Sequence, residues 1–361
     1  SSAAQVGASP AAAMPPRPVS AARGQSGARA GRGRAARGGN LVKSDKPSFT
    51  GVPSRASRIA CPCTSRRLLA RAGGKNTPEV EFLNAGRQTS AKVQVGSWLR
   101  AKELLHKEGL VVLRGLVPPK CVKAARRCLL KILHAEGALD PGARREEAKV
   151  AVAVAAGSAE PPSLLRRLDV QRLPEVLAVL EHARLFQAAA QLLGTEEVET
   201  TAYKWLRAVP PSKFTGPHMD RAYVGAGTRL TAWIPLGNVE PGLNGSGALC
   251  WVPRSHTNPR VIEHYADYHR AGADGERSGW LAPDPAELKL PQGCAWRTTS
   301  FEMGDVAIFG MDLLHTTVPN DSHSFRLSCD TRWQPAGSPP GDVNVGPWRR
   351  QEGARPSIGT S

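Results

Sequence analysis

No run of apolar residues in this 361-residue chain approaches the roughly 18 needed to cross a bilayer as a helix. No apolar core of the kind a secretory signal needs stands near its beginning. Cysteine is sparse and unpatterned: seven residues (61, 63, 121, 128, 250, 294 and 329), an odd number without repeated spacing, give no sign of a disulfide framework. Cys61-Pro62-Cys63 has no second pair to complete a zinc site. Reduced thiols in an intracellular or stromal compartment are expected, most of them filling the core.

Acid is what the first 75 residues lack. They hold fourteen Lys/Arg against Asp45 alone, a net +13, while the remaining 34 basic and 30 acidic residues leave only +4 for positions 76–361. The formal charge of +17 therefore belongs to an extension, and the body is nearly balanced. That split argues against nucleic-acid binding by the folded part, which would need basic residues interleaved with aromatics. The extension is rich in Ala, Arg, Ser, Gly and Pro and nearly free of aromatics, so it is expected to be disordered. Arg- and Ser-rich, acid-poor composition is that of an organellar transit peptide, with Ser57 to Cys61 suited to processing. The location that follows is a chloroplast or mitochondrion, and otherwise the cytoplasm. An inert extension, translation from Met14, and a phosphate-gripping arm are the other readings.

Ordered structure becomes readable near residue 96. Trp98 to Lys107 has helix-favouring composition and stops at Gly109, and Leu110–Leu113 reads as a short buried strand. Pro118-Pro119 opens a helix with Val122, Ala125, Leu129, Ile132 and Leu133 on one face, and Gly137 closes it. The stretch 137–162 has no clear pattern, and a second long helix is expected over 173–193. After Gly194 the period changes. Glu199–Val209, Arg229–Leu236, Ala248–Val252, Val306–Phe309 and Phe325–Trp333 are short β-branched or aromatic runs separated by turn residues. The expected fold is mostly β with helical support, built on a double-stranded β-helix, a jelly roll of cupin-like form. Residues 256–296 interrupt it as a lid-like insertion, with Tyr265, Tyr268, Arg270, Arg277 and Trp280 as candidate contacts. Within it, His264, Asp267 and His269 have spacings that converge poorly on a second metal. Residues 336–361 read as a surface tail.

The chemistry is concentrated in His218-Met219-Asp220, His315 and Arg326. Two histidines and one carboxylate with open positions are the ligand set of a non-haem Fe(II) oxygenase. On an extended strand, side chains at i and i+2 share a face, roughly 7 Å apart, which would let His218 and Asp220 converge on one ion. The strand holding Val306 and Ile308 would seat His315. A His-x-Asp pair alone is weak evidence; the later His and an Arg eleven residues beyond it strengthen the case. The planar Arg326 fork suits the carboxylate of 2-oxoglutarate.

These residues lie in a longer context. Gly216 to Tyr223, Leu230 to Leu236, Gly247-Ala248-Leu249, Val252 to His256, Gly304 to Phe309 and Leu314 to Thr317, with Asn320 and Arg326, resemble the motifs of the phytanoyl-CoA dioxygenase family in order and spacing. The likeness covers about residues 96–335. It implies His218, Asp220 and His315 as Fe(II) ligands and Arg326 as the partner of the distal carboxylate of 2-oxoglutarate. Thr317 would add a hydroxyl and Trp233 an aromatic beside the cosubstrate, and Trp205, Arg207 and Tyr223 are weaker candidates for the pocket wall. The cofactors implied are Fe(II), 2-oxoglutarate and O2. The activity implied is oxidation of a small molecule with release of succinate and CO2. Halogenating relatives lack the carboxylate, so Asp220 favours hydroxylation, with desaturation and epoxidation as the alternatives left open. Arg254 stands where the family usually has glycine. The competing reading is a catalytically silent jelly-roll binding or sensing module; substrate and oligomeric state are left open.

Overall fold

A computed structural model describes residues 83–84, 90–92, 98–225, 227–242, 244–265, 279–283, 285–340 and 347–351. The basic extension 1–75, the Cys61–Cys63 pair and, within the insertion, Asp267, Tyr268, His269, Arg270 and Arg277 lie outside the described residues. Among the described residues no helix is long and apolar enough to cross a membrane.

Two short strands, β1 (Leu83–Asn84) and β2 (Ser90–Lys92), come first. Helix α1 (Trp98–Glu108) ends at Gly109, whose φ of +83° favours glycine, and a Cβ there would fall 2.5 Å from His256. Strand β3 (Leu110–Arg114) follows. Helix α2 (Pro119–Ala135) starts on its proline and buries Val122, Ala125, Leu129, Leu130 and Leu133. The unpatterned stretch holds little regular structure beyond α3 (Val152–Ala155), and α4 (Leu168–Gln171) follows it.

The single helix expected over 173–193 is two, α5 (Pro174–Leu180) and α6 (Ala183–Leu193). The break is at His182, which leaves the helical region (ψ 138°) and accepts the Arg184 N–H on Nδ1 at 3.2 Å. Histidine is not a usual cap, and the apolar period runs on across the break, so composition hides it.

The strands then follow as β4 (Val198–Thr201), β5 (Trp205–Val209), β6 (Leu230–Pro235), β7 (Leu249–Trp251), β8 (Arg297–Thr298), β9 (Val306–Gly310), β10 (His315–Thr317), β11 (Arg326–Pro335) and β12 (Trp348–Arg350). Helices α7 (Arg221–Val224) and α8 (Pro259–Tyr265) interrupt them. The larger sheet runs β12-β4-β11-β6-β9-β3-β2, with β5 also on β11; the smaller runs β1-β8-β7-β10. The run expected over 199–209 is two strands on the same long partner, β4 against Trp333–Pro335 and β5 against Arg326–Asp330. Residues 336–361 are not simply a tail, because Trp348–Arg350 pairs with β4 as an edge strand.

This is the expected jelly roll, and alternation along its central strands sorts side chains into two cores. Val111, Leu113, Ala232, Ile234, Val306 and Ile308 face the helices. Leu110, Val112, Trp233, Ala307 and Phe309 face inward with Leu249 and Trp251 of β7. Val306 and Ile308 therefore do not seat His315 as expected. Their neighbour Phe309 does, with its ring centroid 4.6 Å from the imidazole.

Candidate metal centre

His218 and His315 stand opposite each other in an antiparallel bridge, each N–H donating to the other's carbonyl at 2.9 and 3.0 Å. Residues paired in this way place their side chains together, and the ring centroids are 4.1 Å apart. His315 opens β10, which pairs with β7.

The strand expected through His218 and Asp220 does not form; His218 makes an isolated bridge and Asp220 lies beyond it. Asp220 has helical dihedrals (φ −63°, ψ −19°), and its carbonyl accepts the N–H of Tyr223 and Val224 at 2.9 and 3.0 Å, starting α7. The turn into α7, rather than strand alternation, brings the carboxylate beside the imidazoles. Oδ1 of Asp220 lies 3.5 Å from Nε2 of His218 and 3.8 Å from Nε2 of His315. The ligand atoms of these three buried residues fall within 4.8 Å of one another, the only such group among the described residues.

The polar atoms facing away from this point are tied off. Nδ1 of His218 lies 2.7 Å from the Gly216 carbonyl, and Nδ1 of His315 lies 2.9 Å from that of Leu313. A carbonyl only accepts, so each Nδ1 carries the proton and each Nε2 presents a lone pair inward. Burial, with His218 beside it, pulls His315 down to about 3 and keeps the ring neutral. Burial alone would raise Asp220, but the Arg332 guanidinium beside it overcomes this and holds the carboxyl well below its ordinary value. Its Oδ2 accepts from Thr231 Oγ1 and from Arg332 Nη2. Oδ1 is buried and without a hydrogen-bond partner. An orphaned carboxylate oxygen between two imidazole lone pairs fits a divalent cation, which would satisfy all three.

A cleft opens onto the three residues, with Arg207, Thr215, Trp233 and Thr317 among its walls. Thr317 Oγ1 accepts the Thr215 N–H at 2.9 Å, which leaves its own proton to donate. Arg326 does not line this cleft but stands beside Trp233, which does, with its guanidinium carbon 5.9 Å from that ring's centroid. Its Nη1 donates to Ser328 at 2.8 Å, while Nε and Nη2 are buried and unpartnered. Burial, with Arg207 nearby, pulls this guanidinium down to about 9. A buried cation with two idle donors is fitted to a carboxylate.

Trp205 and Tyr223, expected at the pocket wall, support the site from behind. Trp205 underlies the Arg332 guanidinium at 4.1 Å, and Tyr223 packs edge-on against His218 at 5.3 Å between centroids. Burial raises the Tyr223 hydroxyl's pKa. Arg254, in place of the family's glycine, adopts left-handed backbone (φ 63°). The end of the insertion docks on the segment leading into His218: Leu281 N–H donates to the Pro217 carbonyl at 2.7 Å, and Trp280 stacks on Phe214.

Sequence reasoning missed Thr231, Asp330 and Arg332. One signal was present: Arg326, Ser328, Asp330 and Arg332 alternate with Leu327, Cys329, Thr331 and Trp333 along β11, and all eight are buried. A polar face on a buried strand has to meet other polar groups.

Comparison with known proteins agrees with this geometry. The chain is similar to the 1-deoxypentalenic acid 11-beta-hydroxylases of Streptomyces arenae (27% identity; 66% of this chain, 82% of the relative) and Streptomyces exfoliatus (29%; 66% and 82%). Among solved structures it is similar to AviO1 from Streptomyces viridochromogenes Tue57 (22% identity, TM-score 0.46, 67% of this chain and 97% of that one). It is also similar to EctD from S. alaskensis (16%, TM-score 0.45, 71% and 85%). Residues 105–328 match the family model described as phytanoyl-CoA dioxygenase (PhyH), a span that includes His218, Asp220, His315 and Arg326. The chain therefore belongs to the phytanoyl-CoA dioxygenase family and is a non-haem iron- and 2-oxoglutarate-dependent oxygenase.

Proposed function

We propose that the protein hydroxylates a small molecule at a mononuclear Fe(II) centre held by His218, Asp220 and His315. The observation that carries this reading is the unpartnered Oδ1 of buried Asp220, facing two imidazoles whose Nδ1 atoms are already engaged. Bound iron and 2-oxoglutarate would supply the oxidation, in which O2 is consumed, succinate and CO2 are released and a C–H bond of the substrate gains a hydroxyl.

The chain's own residues bind, orient and enclose. The backbone bridge sets the two imidazoles side by side before any metal arrives, and the two carbonyls fix their tautomer. Arg326 offers Nε and Nη2 to a carboxylate of the cosubstrate, beside the indole of Trp233, with the Thr317 hydroxyl as a further donor in the cleft. Arg207 reaches the same cleft from β5. The hydroxylases similar to this chain are named for a small carboxylic acid, which supports a small-molecule substrate. Packing of residues 279–281 on the segment leading into His218 supports residues 256–296 as the substrate-facing insertion. A silent binding module would have no need of three converging donors.

The test is anaerobic titration with Fe(II) and 2-oxoglutarate, followed by O2-dependent succinate release. Wild type is expected to turn over, uncoupled if no substrate is supplied, and His315→Ala to lose both metal binding and turnover. Absence of metal-dependent succinate from the wild type would overturn the assignment of these ligands. The acid-poor composition of residues 1–75 supports a transit sequence to a chloroplast or mitochondrion; a reporter fused to them that stays cytosolic would refute it.

A further inference from the structure

Asp220 is braced from behind by a chain of buried charge. Arg332 donates through Nη2 to Asp220 Oδ2 at 3.0 Å and through Nη1 to Asp330 Oδ2 at 2.5 Å. Asp330 in turn accepts from Arg207 Nε on Oδ1 at 3.3 Å. The Arg332 guanidinium also lies 4.1 Å from the Trp205 ring centroid. Two carboxylates at its edge and an indole on its face leave that planar fork one orientation. Asp220, Asp330 and Arg332 are all buried.

A carboxylate can meet a divalent ion through one oxygen or both. Here Oδ2 already accepts two hydrogen bonds, one of them charge-assisted. Swinging it toward an ion would strip Arg332 of one of its two carboxylates while the guanidinium stays buried. Oδ1 carries no such bond and is the oxygen beside both imidazoles.

We propose that Arg332 is a positioning residue that, with Thr231, restricts Asp220 to ligation through Oδ1 alone. The protein then fills three coordination positions and leaves the others to cosubstrate and O2. The inference rests on His218, Asp220 and His315 being the metal ligands. Charge balance alone predicts something different, because a lysine at position 332 would serve it equally well. One ammonium cannot reproduce the fork that spans Asp220 and Asp330.

The test is anaerobic Co(II) titration of the full-length apoprotein, reading affinity and the visible d–d bands, whose intensity follows coordination number. Arg332→Lys is expected to bind Co(II) roughly 10–100-fold more weakly, as for other groups that orient metal ligands, and with altered bands. Thr231→Val is expected to change the bands in the same direction by less. Wild-type affinity and bands in Arg332→Lys would overturn the proposal. Should near-UV circular dichroism show that Arg332→Lys does not fold, Thr231→Val decides alone, and unchanged bands there overturn it. His315→Ala separates the two readings: Co(II) binding like wild type in that variant would refute the ligand assignment itself. Weak binding by His315→Ala together with an unaffected Arg332→Lys would refute only the role of Arg332.

Discussion

Arg326 carries two buried donors with nothing to bond and a cation displaced from its ordinary range by burial. A carboxylate between them relieves both, and hydrogen bonds to charged groups contribute about 1.5–3 kcal/mol each. Arg326→Lys is therefore expected to raise the KM for 2-oxoglutarate by roughly tenfold or more while Fe(II) affinity changes little; an unaltered KM would remove Arg326 from the cosubstrate site. Arg254 is the opposite case, a residue whose importance is conformational. Left-handed backbone costs a non-glycine residue about 1–2 kcal/mol, so Arg254→Gly is expected to stabilise the fold by about 1 kcal/mol, seen as a higher urea midpoint. At this scale the sequence was readable where a residue type carries the chemistry. His218, Asp220, His315 and Arg326 could be picked out by identity and spacing. Thr231 and Asp330, ordinary residues made relevant by their neighbours, could not.

Elements hold the site through their ends and edges. The bridge between His218 and His315, the turn at Asp220 and the docking of residues 279–281 all meet within a few residues of Gly216. A Cβ on Gly216 would fall 2.3 Å from the Trp280 ring, inside any real contact. Gly216→Ala is thus expected to lift Trp280 and expose the adjoining chain to proteolysis, and adding Trp280→Ala to reverse much of that sensitivity. Additive effects of the two substitutions would show that this contact does not couple them. The helical register was legible for α1 and α2, where caps and apolar spacing agree. It failed at His182, where the apolar period continues through a break made by a single side-chain bond. Strand positions were legible too, but parity was not: Val306 and Ile308 turned to the helices and Phe309 to the site, because β9 is apolar on both faces.

Across the whole molecule, buried charge ties the layers together. Lys204, in the break between β4 and β5, reaches Glu181 at 2.9 Å and the hydroxyls of Thr200 and Thr331 while fully buried. Burial pulls its ammonium from 10.5 to about 8. Between these values the unfolded chain holds more protons than the folded one, so this lysine's contribution to stability rises with pH across that window. It is lost as pH falls through 8. The stability difference between wild type and Lys204→Met is expected to shift in favour of wild type by about 3 kcal/mol from pH 8 to 10.5; parallel pH profiles would contradict this. Metal is expected to act globally as well. Mn(II) at 100 times its Kd should stabilise the folded chain by about 2.7 kcal/mol, reversed by chelator and absent in His315→Ala.

The sequence by itself determined the candidate ligand types, their order, the arginine proposed for the cosubstrate, and helices followed by strands, because these follow from side-chain chemistry and periodicity along the chain. Only the tertiary structure decided which oxygen of Asp220 is free, that Arg332 braces the other, and that Trp205 and Tyr223 stand behind the site. Those facts depend on which strands pair with β11 and in what register. Pairing between residues more than ninety positions apart leaves no local periodicity to read.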